Sequence, residues 1–235
     1  MDELEQQKLE ALAEFAAGAG HEINNPLAII GGRAQLLLRD IEHPEHRRQL
    51  GMIIAQVQRA YEMIADIRFF ARPPQPEVVA FNLSAELQTL VAEQMPLMTE
   101  AGVDFHTEID STTDSLTETD PVLLHVAAAV LCNNAREAVQ LTRGTIWLRL
   151  CREENAWNII VKDDGPGISE EIRPLIFDPY YSGRQAGRGL GFGLPKAWRI
   201  MQLLGGSIRY EPSNNEPGAT FVLTLPENPV RPHFS

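Results

Sequence analysis

Apolar residues recur at three- and four-residue steps along residues 2–41. Leu12, Phe15, Ala19, Ile23, Ile30, Ala34, Leu37 and Ile41 carry the pattern, with Leu27 on the same side. This is the period of an amphipathic helix. His43-Pro44 interrupts it, because proline disfavours helix at the residue before it. A second helical run follows over 45–71, through Leu50, Ile53, Ile54, Val57, Tyr61, Ile64, Ile67 and Phe70. The pair predicts an antiparallel helical hairpin with arms about 40 Å long, from ~27 residues at ~1.5 Å each. Two helices alone leave their apolar stripes half exposed. Pairing two hairpins into a four-helix bundle covers them, so a homodimer is expected. A plain dimerisation stalk has the same pattern.

The pattern then changes character. Arg72-Pro73-Pro74-Gln75-Pro76 cannot continue a helix and reads as a linker. Beyond it, strand-like runs at Val78–Leu83, Val103–Ile109, Thr145–Cys151, Trp157–Lys162, Ser207–Tyr210 and Ala219–Leu225 alternate with helical ones. One helix runs from an N-cap at Ser84 to about Ala101. Another opens on Asp120-Pro121, a cap followed by proline at the first position, and runs to about Leu141. A third spans about Phe192 to Leu204 and ends at Gly205-Gly206. The fold class is α+β: a helical hairpin followed by an α/β sandwich with helices on one face of a mixed sheet. The expected domains are 1–72, a linker at 73–77, a second domain over 78–228 and a tail at 229–235.

The chain has 235 residues, enough for two domains with a real core. Its net charge of −12 argues against a general nucleic-acid binder, which needs a basic face. Cys132 and Cys151 form no metal spacing, and a reduced cytoplasmic setting is expected. No apolar run reaches the ~18 residues that span a bilayer, so neither a membrane segment nor a signal peptide is expected in this stretch.

Four stretches offer chemistry. His21 is two residues from both Ala19 and Ile23, about 160–200° around the helix from each, so it faces away from the apolar stripe. An exposed position suits a nucleophile, although a lone histidine is also an ordinary surface residue. Pro26 removes its own amide bond to the Glu22 carbonyl and predicts a kink. Asn133 and Asn134 interrupt an apolar, alanine-rich helix. An amide oxygen there can hold Mg²⁺, and a buried hydrogen bond to a loop is the other explanation. Asp163-Asp164-Gly165-Pro166-Gly167 follows a strand. Its carboxylates can accept from the exocyclic amine of adenine, or the segment is an ordinary turn. Gly187-Arg188-Gly189-Leu190-Gly191-Phe192-Gly193-Leu194 precedes a helix and can wrap phosphates with backbone amides, although it is neither a P-loop nor a dinucleotide fingerprint.

In order and spacing these motifs resemble the catalytic core of two-component sensor histidine kinases over nearly the whole chain. His21-Glu22-Ile23-Asn24-Asn25-Pro26-Leu27 resembles the phosphoacceptor box, closest to the nitrogen-regulation type. Leu131–Ala138 resembles the N box, Asp163–Gly167 the first glycine box, Ile176–Ser182 the F box and Gly187–Leu194 the second glycine box. The resemblance implies an ATP-binding domain of the histidine kinase/GHKL type. It implies that His21 accepts the γ-phosphoryl group, Glu22 is the neighbouring base, and Asn25 helps orient water when a partner is dephosphorylated. It assigns Mg²⁺ to Asn134, adenine to Asp163, the base pocket to Gly165 and Gly167, and the phosphate side to Gly189, Gly191 and Gly193. Arg184 stands near a position that is often lysine and can touch phosphate. The implied partner is a response regulator receiver domain, with phosphoryl passed to its aspartate.

The chain departs from the family pattern at Val130, four residues before Asn134, where a polar residue, commonly Asn, is usual. The stretch between Ser182 and Gly189 is also short. Val130 supports an alternative function, a nucleotide-binding pseudokinase or scaffold with little autokinase activity. A gyrase- or chaperone-type ATPase shares the ATP fold but has no need of the His21 hairpin.

Overall fold

The computed structural model describes residues 3–110, 115–140, 142–153, 155–178, 191–212 and 217–227. Arg184, Gly189, the end of the F-box segment from 179 to 182, the tail from 229 and the side chain of His21 lie outside the described residues. The chain divides into two compact units with a boundary between Pro74 and Gln75.

The first unit is a helical hairpin, α1 (Glu3–Asp40) and α2 (Pro44–Ala71). Helix α1 continues through Pro26. Pro44 takes the first position of α2, where a missing N–H costs nothing. Arg47 donates to the carbonyls of Leu38 (2.7 Å) and Ile41 (2.9 Å), so a side chain of α2 satisfies carbonyls left open at the end of α1.

On the α1 side, the seam between the helices places small residues against larger ones of α2. A Cβ on Gly20 would stand 3.3 Å from Ile64, and one on Gly31 would stand 3.2 Å from Val57. Ala34 and Val57 are buried. The larger apolar residues Ile23, Ile30 and Leu37 on α1, and Met52 and Ile53 on α2, stay 43–56% exposed in one copy of the chain. The stripe read from the sequence therefore divides. Ala34 faces the neighbouring helix, whereas Ile23, Ile30 and Leu37 face outward, because close helix approach admits the small residues.

The second unit opens with β1 (Val79–Asn82), α3 (Leu83–Ala101), β2 (Asp104–Glu108), β3 (Leu116–Thr119) and α4 (Pro121–Val139). It continues with β4 (Thr145–Glu153), β5 (Ala156–Asp163), a 3₁₀ turn at Arg173–Leu175, α5 (Gly193–Leu203), β6 (Ser207–Glu211) and β7 (Thr220–Pro226). β1 and β3 form an antiparallel ribbon. The main sheet has the order β2-β4-β5-β7-β6, parallel between β2 and β4 and antiparallel elsewhere.

Alternation puts Ile146, Leu148, Ile159, Val161, Phe221 and Leu223 on one buried side of the sheet. Leu124, Ala127, Leu131 and Ala135 of α4 and Ile200 and Met201 of α5 supply the helical part of the core. Cys132 is buried there too, and burial pushes its thiol up to about 12, so it behaves as a small apolar residue. On the other side Lys162 lies 5.5 Å from the Trp147 ring, and Thr224 joins Asn158 (2.7 Å) to Arg209 (2.6 Å). Trp157 is a core residue and Trp147 belongs to the polar side.

Two local expectations change. The cap of α3 is Asn82, whose Oδ1 accepts from the Ala85 amide at 2.9 Å. Ser84 lies inside the helix, buried, with its amide donating to the Ser115 hydroxyl at 2.8 Å. β3 was not expected, because Leu116-Thr117-Glu118-Thr119 carries one aliphatic residue. It is a strand because β1 pairs with it along its length.

Candidate functional site

The hairpin unit carries the first group of candidate residues. His21, Glu22 and Asn25 share α1 within little more than one turn, and the side chains of Glu22 and Asn25 are exposed.

The second group lies in the sheet unit, at the end of β5. Register pairs Asp163 with Ile146, which places its side chain on the apolar side of the sheet. Asp163 is 3% exposed. Its Oδ1 accepts from the amides of Gly165 (2.9 Å) and Ala219 (3.3 Å), which leaves the second oxygen outside these bonds. Burial holds the carboxyl above the ordinary carboxylate value. The two amide bonds pull it back, and neighbouring Asp164 pushes it up a little further.

The adjacent carboxylate is committed elsewhere. Asp164 Oδ1 accepts from the Thr145 amide at 2.8 Å, and the Asp164 amide donates to the Thr145 carbonyl at 3.2 Å, tying the turn to the start of β4. The two acids therefore differ in kind: Asp164 anchors the turn, and Asp163 is a buried acceptor with capacity to spare.

Glycines make the space beside it. A Cβ on Gly165 would lie 2.8 Å from Asp163 Oδ1 and 3.2 Å from the Ala138 side chain. Gly167 has φ 73, and a Cβ there would meet the Gly218 carbonyl at 2.9 Å. Gly218 has φ 118, and a Cβ there would sit 1.8 Å from the Asp163 carbonyl oxygen, so only glycine is accommodated.

Helix α4 links this turn to α5. Val130, Asn134 and Ala138 are four residues apart and share one face. Ala138 meets Gly165 at one end. At the other end a Cβ on Gly193, the first residue of α5, would be 3.5 Å from Val130 Cγ1. Half-buried Asn134 therefore lies along α4 between the buried carboxylate and the N-terminus of α5, where amides and helix dipole favour anions. Asn133 turns to Arg136, whose Nη2 donates to its Oδ1 at 3.0 Å. Gly191 has φ 72 and precedes α5 by two residues.

Sequence reasoning missed Gly218, Ala138 and Gly144, where a Cβ would fall 2.0 Å from Asp164 Oδ1. Each is a small residue whose partner is remote in the chain. Gly218 had one local signal, a glycine directly before the apolar run of β7. Among the described residues no cluster of three or more His, Cys, Asp or Glu side chains could hold a metal. No described helix is long and apolar enough to cross a membrane.

A buried acceptor, a glycine-lined space beside it and a helix N-terminus along the same helix face are the parts of a nucleotide site on a mixed sheet. The chain belongs to the histidine kinases: the family model for the His Kinase A (phospho-acceptor) domain matches residues 11–76, and that for the histidine kinase-, DNA gyrase B- and HSP90-like ATPase matches residues 119–229. The signal transduction histidine-protein kinase AtoS of Escherichia coli (strain K12) is 32% identical over 95% of this chain and 36% of its own length. Sporulation kinase D of Bacillus subtilis (strain 168) is 30% identical over 95% of this chain and 44% of its own length. The chain thus spans less than half the length of these relatives. Among solved structures, full-length ShkA in complex with AMPPNP shares the fold (TM-score 0.75, 21% identity), covering 93% of this chain and 47% of that one. The nucleotide-free catalytic domain of the histidine kinase ThkA matches 65% of this chain and 97% of its own at 26% identity, with TM-score 0.57.

Proposed function

We propose that this chain is the catalytic core of a cytoplasmic sensor kinase that autophosphorylates His21 from ATP and passes the phosphoryl group to an aspartate of a response regulator. The observation that carries the reading is Asp163, a buried carboxylate with an oxygen to spare, beside space that Gly165, Gly167 and Gly218 keep open. That oxygen suits the exocyclic amine of adenine. Asn134 would hold Mg²⁺, a hard cation that takes amide oxygens and neutralises phosphate charge when bound. Gly189, Gly191 and Gly193 would shape the phosphate side, with Arg184 as a further cation.

Phosphoryl transfer demands mainly positioning and charge neutralisation. Glu22 would withdraw the proton from one ring nitrogen of His21 so that the other attacks the γ-phosphorus. The bond to the β–γ bridging oxygen breaks and ADP leaves. Asn25, exposed one turn beyond His21, would orient water when the regulator is dephosphorylated. The working form is a homodimer, because one hairpin leaves Ile30, Met52 and Ile53 lining an open groove with Leu27 and Val57.

A nucleotide-binding scaffold is the second reading, and Val130 favours it: its side chain adds no polar group to the α4 face that carries Asn134. Incubation with γ-labelled ATP and Mg²⁺ separates the two. Acid-labile, base-stable label that vanishes in His21→Ala establishes the kinase. ATP binding by calorimetry without label establishes the scaffold.

A further inference from the structure

Tyr61 is the one tyrosine in the hairpin, and it is half-buried on α2. Its hydroxyl donates to the backbone carbonyl of Asn24 on α1, at 3.1 Å. Asn24 is three residues after His21. One residue before His21, Gly20 packs against Ile64, which is three residues from Tyr61 and so on the same side of α2. Two neighbouring α2 side chains therefore meet α1 on either side of His21.

This stretch of α1 is short of bonds of its own. Pro26 has no N–H, so the Glu22 carbonyl lacks its usual donor within the helix. Asn24 Oδ1 is buried with no hydrogen-bond partner among the described residues. The Tyr61 hydroxyl bonds to neither of these oxygens; it adds a bond from the facing helix to the Asn24 carbonyl, inside the turn that Pro26 weakens. That bond is also more directional than the apolar packing of Gly20 against Ile64 and of Gly31 against Val57.

We infer that Tyr61 is a positioning residue for phosphoryl transfer: its hydroxyl fixes the α1 turn that presents His21, Glu22 and Asn25. The inference rests on the kinase reading of His21. It assigns Tyr61 no contact with ATP or with the reacting atoms. The hydroxyl holds the backbone from which the reacting imidazole and its neighbours project, and an error of about 1 Å in such a turn costs rate rather than nucleotide affinity.

Tyr61→Phe keeps the ring and removes only the hydroxyl. In the dimeric chain it is expected to lower the autophosphorylation kcat about three- to tenfold, the range set by one net hydrogen bond. KM for ATP, helix content and dimer mass should stay at wild-type values. Amide hydrogen exchange over residues 22–28 should rise in the same variant. Wild-type label with an unchanged kcat in Tyr61→Phe overturns the inference alone. A lower kcat accompanied by loss of helix or of dimer assigns Tyr61 to packing and also overturns it. A wild type that takes no label overturns the kinase reading, and this inference with it.

Discussion

Asp163 and Asp164 show how far neighbouring carboxylates can diverge. Asp164 completes a backbone turn, whereas Asp163 is buried with both of its assigned bonds on one oxygen. Asp163→Asn keeps the Oδ1 acceptor and replaces the spare acceptor with a donor, which on the proposed function would oppose the donor of the adenine amine. ATP affinity by titration calorimetry is expected to fall at least about tenfold, ~1.4 kcal/mol. The same substitution has a pH signature in the ligand-free protein. The carboxyl ionises higher in the fold than at its ordinary value of 3.8, so in that window the folded state keeps a proton that the unfolded chain has lost. Stability contributed by Asp163 therefore falls as pH rises. Asn cannot ionise, so its melting temperature relative to wild type should be most favourable near neutrality. That advantage should shrink as pH drops toward 3.8; a gap that widens toward acid would contradict the burial argument. Gly218→Ala tests the other side of the pocket. With φ 118 and a Cβ 1.8 Å from a backbone oxygen, it is expected to cost about 3 kcal/mol or more, read as a lowered denaturation midpoint.

Helix α4 is the element that organises the sheet unit. Its buried face closes the core through Leu124, Leu131 and Ala135, and the face with Val130, Asn134 and Ala138 runs from the start of α5 at Gly193 to the turn at Gly165. This double duty suits an alanine-rich helix that carries an asparagine pair: small residues let it sit close to the sheet, and the polar step falls between the turn at Gly165 and the start of α5. At Val130 the chain places an apolar side chain against the start of α5. Val130→Asn is expected to raise the initial rate of Mg²⁺-dependent label transfer about tenfold, with ATP affinity measured without metal unchanged. An unchanged rate would show that the apolar contact with Gly193 serves transfer as well as a polar group does.

For the molecule as a whole, the open groove on the hairpin decides what assembles. Ile30, Met52 and Ile53, with half-buried Leu27 between the helices, present an apolar surface that one chain does not cover. A second hairpin with the same surface matches it, as a two-fold interface requires. Light scattering should give twice 26.2 kDa for the wild type and 26.2 kDa for the double variant Ile30→Asp, Ile53→Asp. Transfer of label to His21 would then report whether ATP bound by one chain serves its own histidine. Wild type at 26.2 kDa would leave the groove to another occupant.

The sequence by itself determined the hairpin, the capped start of α4 at Asp120-Pro121, the β4–β5 pair and the five motifs in their order. The first three rest on near-neighbour physics, a 3.6-residue period, a cap with proline behind it, or alternation, whereas the motifs were legible through their resemblance to a known family. Tertiary structure decided what depends on partners far apart in the chain. It set small residues of α1 in the seam and large ones outside it, because interhelical distance is not written in a one-helix pattern. It made Asn82 the cap of α3 and sent Ser84 to Ser115. It separated Asp163 from Asp164 through Ala219 and Thr145, and it brought Gly218 against Gly167. Local spacing fixes which residue types are available. Which oxygen is buried, which is already bonded and where space is left follow only when remote strands close on one another.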